Sequence, residues 1–271
     1  MNVKDDSSER PWGRALGISF GLGSQVLFLA TVWYLFWFLR DGGGSPSRGS
    51  LALDALLALQ FAIPHSGLLL PRTRKLVTRF LPGAFYGCLN CSVTCLSLLA
   101  VFHWWHSSPV VLWQAEGVTA TLVSAGFYAS WVALFYSLYI SGLGYQTGLT
   151  PWWYWFRRQP APRRQFEERG AYRWLRHPIY LSFLGLVWFT PRMTLDHAVL
   201  TGIWTAYIFV GSYLKDGRLT YYLGDQYRDY SSRVSGYPLV GFGPLGKRPP
   251  IAASPAAAKP VGDAATTQHA A

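Results

Sequence analysis

Long apolar stretches alternate with short polar connections along most of this 271-residue chain. Six apolar segments stand out, at roughly 15–39, 51–70, 85–105, 119–141, 178–191 and 198–214. The first four approach or exceed the ~20 residues that a helix needs to cross a hydrocarbon core of ~30 Å. The pattern predicts an all-α fold, a polytopic membrane helix bundle with about six membrane segments.

The fifth segment, from Pro178 to Pro191, is shorter than the others. As a helix it would rise about 20 Å, which is less than the hydrocarbon thickness. A polar turn follows, and its Thr194 or Asp196 could N-cap the next helix. We expect the last two segments to form a short helical hairpin that enters from the cytoplasmic side and returns to it. The returning helix is expected to end near Asp216, with its negative pole beside that carboxylate.

Lys and Arg are abundant in alternate connections and sparse in the others, and the connection at 106–118 has none. The positive-inside rule therefore predicts that both termini lie in the cytoplasm. We expect an integral membrane protein of the bacterial inner membrane. The predicted regions are a cytoplasmic N-terminus at 1–14, a membrane domain at 15–243 and a disordered Pro/Ala-rich tail at 244–271.

Composition agrees with a membrane chain, because 51% of the residues are hydrophobic and only 14% are charged. A net charge of +11 could suggest nucleic acid. In a membrane protein, basic loops reflect orientation and contact with anionic lipid headgroups, so we predict membrane lipids as partners and no nucleic acid. Cys88, Cys91 and Cys95 share one apolar segment and are predicted to be small packing residues between helices. We predict neither a disulfide framework nor a metal site.

Candidate chemistry begins at Arg176-His177-Pro178, where Pro178 is suited to the first position of a helix. The free N–H groups of that helix start, with Arg176 beside them, would form an anion site. Asp216 adds an acidic corner, so the same mouth could bind a zwitterion. The alternative is a headgroup anchor with a solvated carboxylate.

The order of motifs resembles the isoprenylcysteine carboxyl methyltransferase superfamily, membrane enzymes that use S-adenosylmethionine. The resemblance rests on "RHPIY", the short hairpin and "KDGRLTYYLGDQYRDYSSRV", which contains the family's Gly-x-x-Tyr-x-x-Tyr-x-x-x-Val pattern. "FAIPHSGLLLPRTRKLV" resembles the front half of the methanethiol S-methyltransferase and NnrU-like branch. The likeness covers roughly residues 15 to 240. Where the family has a Glu-Glu pair, this chain has Lys215-Asp216.

The resemblance implies that S-adenosylmethionine is the cofactor and that it lies at the cytoplasmic mouth of the hairpin. Arg176 and His177 would meet its carboxylate, and Asp216 its amino group or a ribose hydroxyl. Tyrosines would pack the adenosine or supply hydroxyls, although each could equally be an interfacial aromatic residue. The cofactor-binding residues implied are Arg176, His177, Tyr180, Asp216, Tyr227 and Tyr230.

The implied activity is methylation of a small lipophilic acceptor, a thiol such as methanethiol, to give a thioether. His65 would be the catalytic base or a substrate contact. The alternative for His65 is a hydrogen bond between helices. Alternative functions are methylation of an isoprenylcysteine carboxylate or a lipid, or a non-catalytic NnrU-like role. A transporter is disfavoured, because ionisable residues are almost absent from the apolar segments.

Reporter proteins fused after Ser107 and after Ser254 are expected to lie on opposite sides of the membrane. The reason is that the connection at 106–118 lacks Lys and Arg, whereas the chain after the sixth segment carries Lys215, Arg218, Arg228 and Arg233. Reporters that are active in only one compartment would measure this. The same compartment at both positions would refute the predicted topology.

Overall fold

The computed structural model of the protein describes residues 11–43, 50–162 and 166–249. Most of the predicted N-terminal region (1–10) and of the predicted tail (250–271) lies outside the described residues. The helices are α1 Pro11–Asp41, α2 Leu51–Leu69, α3 Pro71–Val77, α4 Tyr86–Trp104, α5 Gly117–Ile140, α6 Leu143–Gln146, α7 Leu149–Phe156, α8 Pro178–Trp188, α9 Leu195–Leu223 and α10 Asp225–Arg233. Short 3-10 turns at Gly83–Phe85 and Gly170–Arg173 and two strands, β1 Val111–Gln114 and β2 Arg192–Thr194, complete the described elements.

Within the described ranges, α1, α2, α4, α5 and α9 are long and apolar enough to cross a membrane. The shorter apolar helix α8 corresponds to the fifth predicted segment. Large apolar side chains face outward along these helices, for example Val26 and Leu29 on α1 and Val132 on α5. A soluble protein would not expose so much apolar surface. The predicted all-α membrane bundle is confirmed, and the chain is an integral membrane protein.

The returning helix of the hairpin is longer than the sequence pattern indicates. α9 runs to Leu223, so its length is about 44 Å and it can span the hydrocarbon core. Asp216 lies inside this helix, and the expectation that it sits beside the helix C-terminus is wrong. The polar side chains after residue 214 end the apolar pattern without ending the helix. The helix ends only where Gly224 adopts a positive φ of 56°.

The turn between α8 and α9 lies beside the connection that joins α4 to α5. There β1 and β2 pair antiparallel, with Val111 opposite Thr194 and Gln114 opposite Arg192. Thr194 occupies the N-cap position of α9, but its side chain makes no capping hydrogen bond. This end of the bundle is therefore held by the strand pair and by the contacts of Asp196.

Two buried carboxylates fasten the connection after α4 to the starts of two helices. Asp196 of α9 accepts hydrogen bonds from the Trp105 indole at 2.9 Å and from the Ser108 backbone N–H at 3.0 Å. Asp54 of α2 accepts one from the His106 backbone N–H at 3.1 Å. Each carboxylate compensates its own burial with charge-assisted bonds.

The main core lies where α1, α2, α4, α5, α8 and α9 meet, and it includes fully buried Ala58, Val101 and Leu186. A second cluster lies around Cys88 and Trp152. All three cysteines are buried and free.

Backbone contact between α4 and the α6–α7 turn requires glycine at two positions. A Cβ on Gly87 would lie 2.5 Å from the Cα of Gly148, which itself has a φ of +80°. The two segments therefore approach as closely as small residues allow in a membrane bundle.

Asp196→Ala is expected to lower the free energy of unfolding by about 1.5–3 kcal/mol, since the buried Trp105 indole and the partly buried Ser108 N–H lose a charged acceptor. Asp196→Asn retains one acceptor oxygen and is expected to cost less. The matched control is Asp41→Ala, because that carboxylate is exposed at the end of α1. Unfolding in detergent micelles measures the effect. Equal stability of the Asp196→Ala and Asp41→Ala variants would contradict the role of Asp196.

Candidate functional site

Arg176 and His177 lie at the start of α8, and both side chains are fully buried. Pro178 occupies the first turn of this helix, as expected from its fixed φ and missing N–H. His177 is the N-cap residue, and its side chain makes no capping hydrogen bond. Both side chains instead point to α9 and to the chain that follows α10.

Four polar side chains converge on the buried carboxylate of Asp216, and with it they form a group that we call the Asp216 cluster: Arg176, His177, Asp216, Tyr227 and Arg248. Arg176 approaches one carboxylate oxygen at 3.0 Å, and Arg248 approaches the same oxygen at 3.1 Å. Tyr227 donates a hydrogen bond to the other oxygen. His177 Nε2 lies 3.2 Å from that oxygen, although its N–H is poorly aligned for a hydrogen bond.

The segment 234–248, which we call the C-terminal strap, closes over this cluster. The Arg176 guanidinium donates to the carbonyls of Ser231 and Val234, at 2.9 and 3.1 Å. The backbone N–H of His177 donates to the Gly236 carbonyl at 3.2 Å. A Cβ on Gly236 would lie 2.9 Å from the His177 ring, so the strap can approach this closely only with glycine there.

Three polar atoms at the centre of the site are buried without a hydrogen-bond partner within the described residues: Arg176 Nε and both ring nitrogens of His177, of which Nε2 faces Asp216. Burial lowers the pKa of His177, which favours the neutral ring. Burial, followed by the nearby charge of Asp216, raises the pKa of Tyr227, so this hydroxyl keeps its proton. Buried polar groups are usually satisfied, so Arg176 Nε and His177 Nδ1 indicate a place for a ligand.

A pair of tyrosine rings beside the cluster already holds a cation. The Lys215 ammonium lies 5.5 Å from the Tyr172 ring centroid and 5.4 Å from that of Tyr180, within cation–π range. Tyr180 also packs edge-on against His177, with ring centroids 5.6 Å apart. The sequence motifs indicate Tyr180 as part of this site but carry no signal for Tyr172.

Tyr227 and Tyr230 pack against each other and against Phe166, and both are almost completely buried. The Tyr230 hydroxyl donates to the Tyr172 carbonyl at 2.6 Å. Tyr230 therefore links α10 to the turn that precedes Arg176. The structure brings together the six residues implied as cofactor-binding, with Asp216 at their centre.

His65 lies apart from the Asp216 cluster, on α2. Its Nδ1 is 3.1 Å from the Thr94 hydroxyl of α4, and its ring stacks on Phe61. The Tyr207 ring of α9 faces it edge-on, and the Tyr207 hydroxyl bonds Ser66 at 2.9 Å. The side chains of His65, Ser66, Thr94 and Tyr207 therefore form a polar group among α2, α4 and α9, which we call the His65 group.

One face of α9 connects His65 to the cluster. Tyr207, Gly211 and Lys215 follow one another at four-residue spacing, so they lie on the same side of the helix. The Tyr180 hydroxyl packs 3.8 Å from the position that a Cβ on Gly211 would occupy. A ligand that lay between the His65 group and the Asp216 cluster would therefore contact this face of α9.

Sequence reasoning missed Arg248 and the strap. The sequence pattern predicts a disordered tail from residue 244, whereas the Pro244 carbonyl accepts a hydrogen bond from Arg176 and Arg248 donates one to Asp216. The Gly- and Pro-rich strap has no apolar period, so the pattern carries no signal of its packing. Among the described residues, no group of His, Cys, Asp or Glu could hold a metal ion.

Arg176→Met is expected to lower the free energy of unfolding by about 3–5 kcal/mol, because a buried carboxylate loses a charged partner. The double variant Arg176→Met/Asp216→Asn is expected to cost less than the sum of the single changes, since the two side chains interact. Denaturant unfolding in micelles gives these values. Arg228→Met removes an exposed ion pair and is the control, with an expected change of about 0.5 kcal/mol or less. A destabilisation of the double variant equal to the sum of the two single changes would contradict the interaction between Arg176 and Asp216.

Comparison with known proteins gives several relatives that align over most of this chain. Methanethiol S-methyltransferase 1 of Bradyrhizobium diazoefficiens is 30% identical over 227 residues, which are 80% of this chain and 79% of that protein. Methanethiol S-methyltransferase of Mycobacterium tuberculosis is 28% identical over 82% of this chain and 95% of its own length. Nurim of Rattus norvegicus is 24% identical over 75% of this chain and 86% of its own length.

No protein-family model and no solved structure matches the chain. The alignments nevertheless confirm the superfamily and the branch that the motifs indicate. They also agree with a membrane methyltransferase, because the described helices form a membrane bundle. The chain belongs to the methanethiol S-methyltransferase family.

Proposed function

We propose that this protein transfers a methyl group from S-adenosylmethionine to methanethiol or a similar small thiol, giving a thioether. The observation that carries the proposal is the alignment with methanethiol S-methyltransferases over about four fifths of the chain. The polar and aromatic groups along α9 support it, because they offer a donor site and an acceptor site on one helix face.

The residues around Asp216 fit the donor by their chemistry. The donor carries a carboxylate, an ammonium and a sulfonium, and this site has cationic side chains, a carboxylate and cation-binding rings. Arg176 Nε and His177 Nδ1 are the buried unpartnered atoms that would contact the carboxylate or amine. Asp216 would bind the amino group or a ribose hydroxyl. Tyr180, Tyr227 and Tyr230 would contact the adenosine.

When bound, S-adenosylmethionine supplies an electrophilic methyl group on a positively charged sulfur. The protein's part is to exclude water, to position the acceptor and to remove the thiol proton. Charge disappears when a thiolate attacks a sulfonium, so a dry site of low dielectric constant favours the reaction. His65 is the proposed base, and its place among apolar helices suits a neutral ring that accepts a proton.

The remaining proposals concern location and partners. We place the protein in the bacterial inner membrane with both termini in the cytoplasm, because basic connections alternate along the sequence. The substrate is expected to be small and lipophilic, and the exposed apolar faces of α1 and α5 would contact membrane lipids. The domain limits 1–14, 15–243 and 244–271 stay as sequence-based proposals, except that residues 244–248 pack on the Asp216 cluster.

Membranes that contain the protein, supplied with S-adenosylmethionine and methanethiol, are expected to release dimethyl sulfide into the headspace. His65→Ala is expected to lower the rate by about 10²–10⁴-fold, as loss of general base catalysis does. His103→Ala is the matched control, because His103 is an exposed histidine at the end of α4. Gas chromatography measures the product.

Turnover of a prenylcysteine or a phospholipid, without any product from small thiols, would show that the methyl acceptor is not a small thiol. Binding of labelled S-adenosylmethionine without turnover of any acceptor would favour a non-catalytic role. A rate in His65→Ala equal to that in His103→Ala would refute His65 as the base.

A further inference from the structure

We infer that Thr94 is a positioning residue that fixes the tautomer of His65, so that Nε2 presents its lone pair to the thiol. This inference rests on the proposed function, because it assigns a partner to the proposed base. It adds a residue on α4 that no sequence motif singles out.

The assignment follows from counting hydrogens at the Thr94 hydroxyl. Thr94 Oγ1 lies 2.8 Å from the Asn90 carbonyl, and a carbonyl can only accept. The single hydroxyl hydrogen is therefore used in that bond. Oγ1 also lies 3.1 Å from His65 Nδ1, so it must accept there and Nδ1 must carry the hydrogen. A neutral imidazole with hydrogen on Nδ1 has its lone pair on Nε2.

Aromatic neighbours hold the ring in the plane that this bond requires. Phe61, one turn earlier on α2, stacks on His65 with centroids 5.4 Å apart and planes 18° apart. Tyr207 faces the ring edge-on at 6.5 Å, and its own hydroxyl is engaged by Ser66. Within the described residues Nε2 has no hydrogen-bond partner, so it is available to an acceptor thiol.

The proton step is balanced by the protein's own groups. The thiol hydrogen moves to Nε2, which leaves a thiolate and an imidazolium with a hydrogen on each nitrogen. The thiolate sulfur then forms a bond to the transferred methyl group, and the bond between that methyl and the donor sulfur breaks with its electron pair left on the donor. Thr94 accepts from Nδ1–H before and after the transfer, and the bond strengthens when the ring becomes charged.

Other ionisable groups near His65 come from both packed helices. Tyr207 and Arg218 lie on α9, and the Tyr207 ring faces the His65 ring. On α4, Tyr86 contacts α2 farther along, where its hydroxyl donates to the Leu68 carbonyl. None of these groups contacts Nδ1, so the tautomer depends on Thr94.

The test compares Thr94→Val, which has the same shape without a hydroxyl, with Thr94→Ser, which keeps one. Thr121→Val is the matched control, because Thr121 makes the same hydrogen bond to the preceding turn on α5, a helix that contains no histidine. The first readout needs no cofactor: nitrogen-15 spectra of histidine-labelled protein, with His65 identified by its loss in His65→Gln. Wild type and Thr94→Ser are expected to show Nδ1 protonated and Nε2 unprotonated, and Thr94→Val a mixture.

The second readout separates positioning from folding. Thr94→Val is expected to lower kcat for methanethiol tenfold or more, with the KM for the methyl donor unchanged and with activity retained in Thr94→Ser. Hydrogen sulfide is a more acidic acceptor and is largely ionised at mildly alkaline pH. Hydrogen sulfide therefore needs less help from a base, and Thr94→Val is expected to lower kcat less with hydrogen sulfide than with methanethiol.

Wild-type tautomer and rates in Thr94→Val, alongside an active wild type, would overturn the inference and leave the proposed function intact. A wild type that methylates no thiol would overturn both. A fall of equal size with methanethiol and hydrogen sulfide would also overturn it, because that result indicates general damage to the site.

Discussion

The buried ion pair between Arg176 and Asp216 is the interaction on which the donor half of the proposed site depends. Neither side chain is exposed, and each compensates a charge whose burial would otherwise cost several kcal/mol. Arg176 also bonds the carbonyls of Ser231 and Val234, so one guanidinium joins the start of α8 to α9 and to the end of α10. The strap can cover this junction because the charges of Arg176 and Asp216, which lie beneath it, neutralise each other.

α9 gives the two halves of the proposed site a common frame. The face with Tyr207, Gly211 and Lys215 runs from the His65 group to the Tyr180 ring. A rigid helix that carries contacts for both reactants would hold them in line, and such positioning supplies much of the acceleration in a displacement reaction. This explains why α9 must continue past the apolar pattern. Its polar last turns carry Asp216, which belongs to the proposed donor site.

Much of the fold could be predicted from the sequence, because membrane helices of ~20 residues need only an apolar run. Arg176 and His177 could be assigned to the start of a helix from Pro178 alone. The end of α9 could not be found in this way, since its last turns are polar yet helical. The strap and Arg248 were also missed, because their contacts are to backbone carbonyls and to a carboxylate far away in the chain. Thr94 was missed because its role depends on which atom donates, and that appears only once α2 and α4 are packed together.

The replacement of an acidic pair by Lys215-Asp216 need not weaken a site for a cationic donor. The Lys215 ammonium lies between two tyrosine rings instead of against Asp216, so the carboxylate keeps its charge for other partners. Binding of an amine at Asp216 requires one of its present partners to leave. Arg248 is the member of the cluster whose side chain is 26% exposed, whereas Arg176 and His177 are fully buried. Because Arg248 is already partly hydrated, its ion pair with Asp216 costs the least free energy to break. We therefore expect the end of the strap to move first.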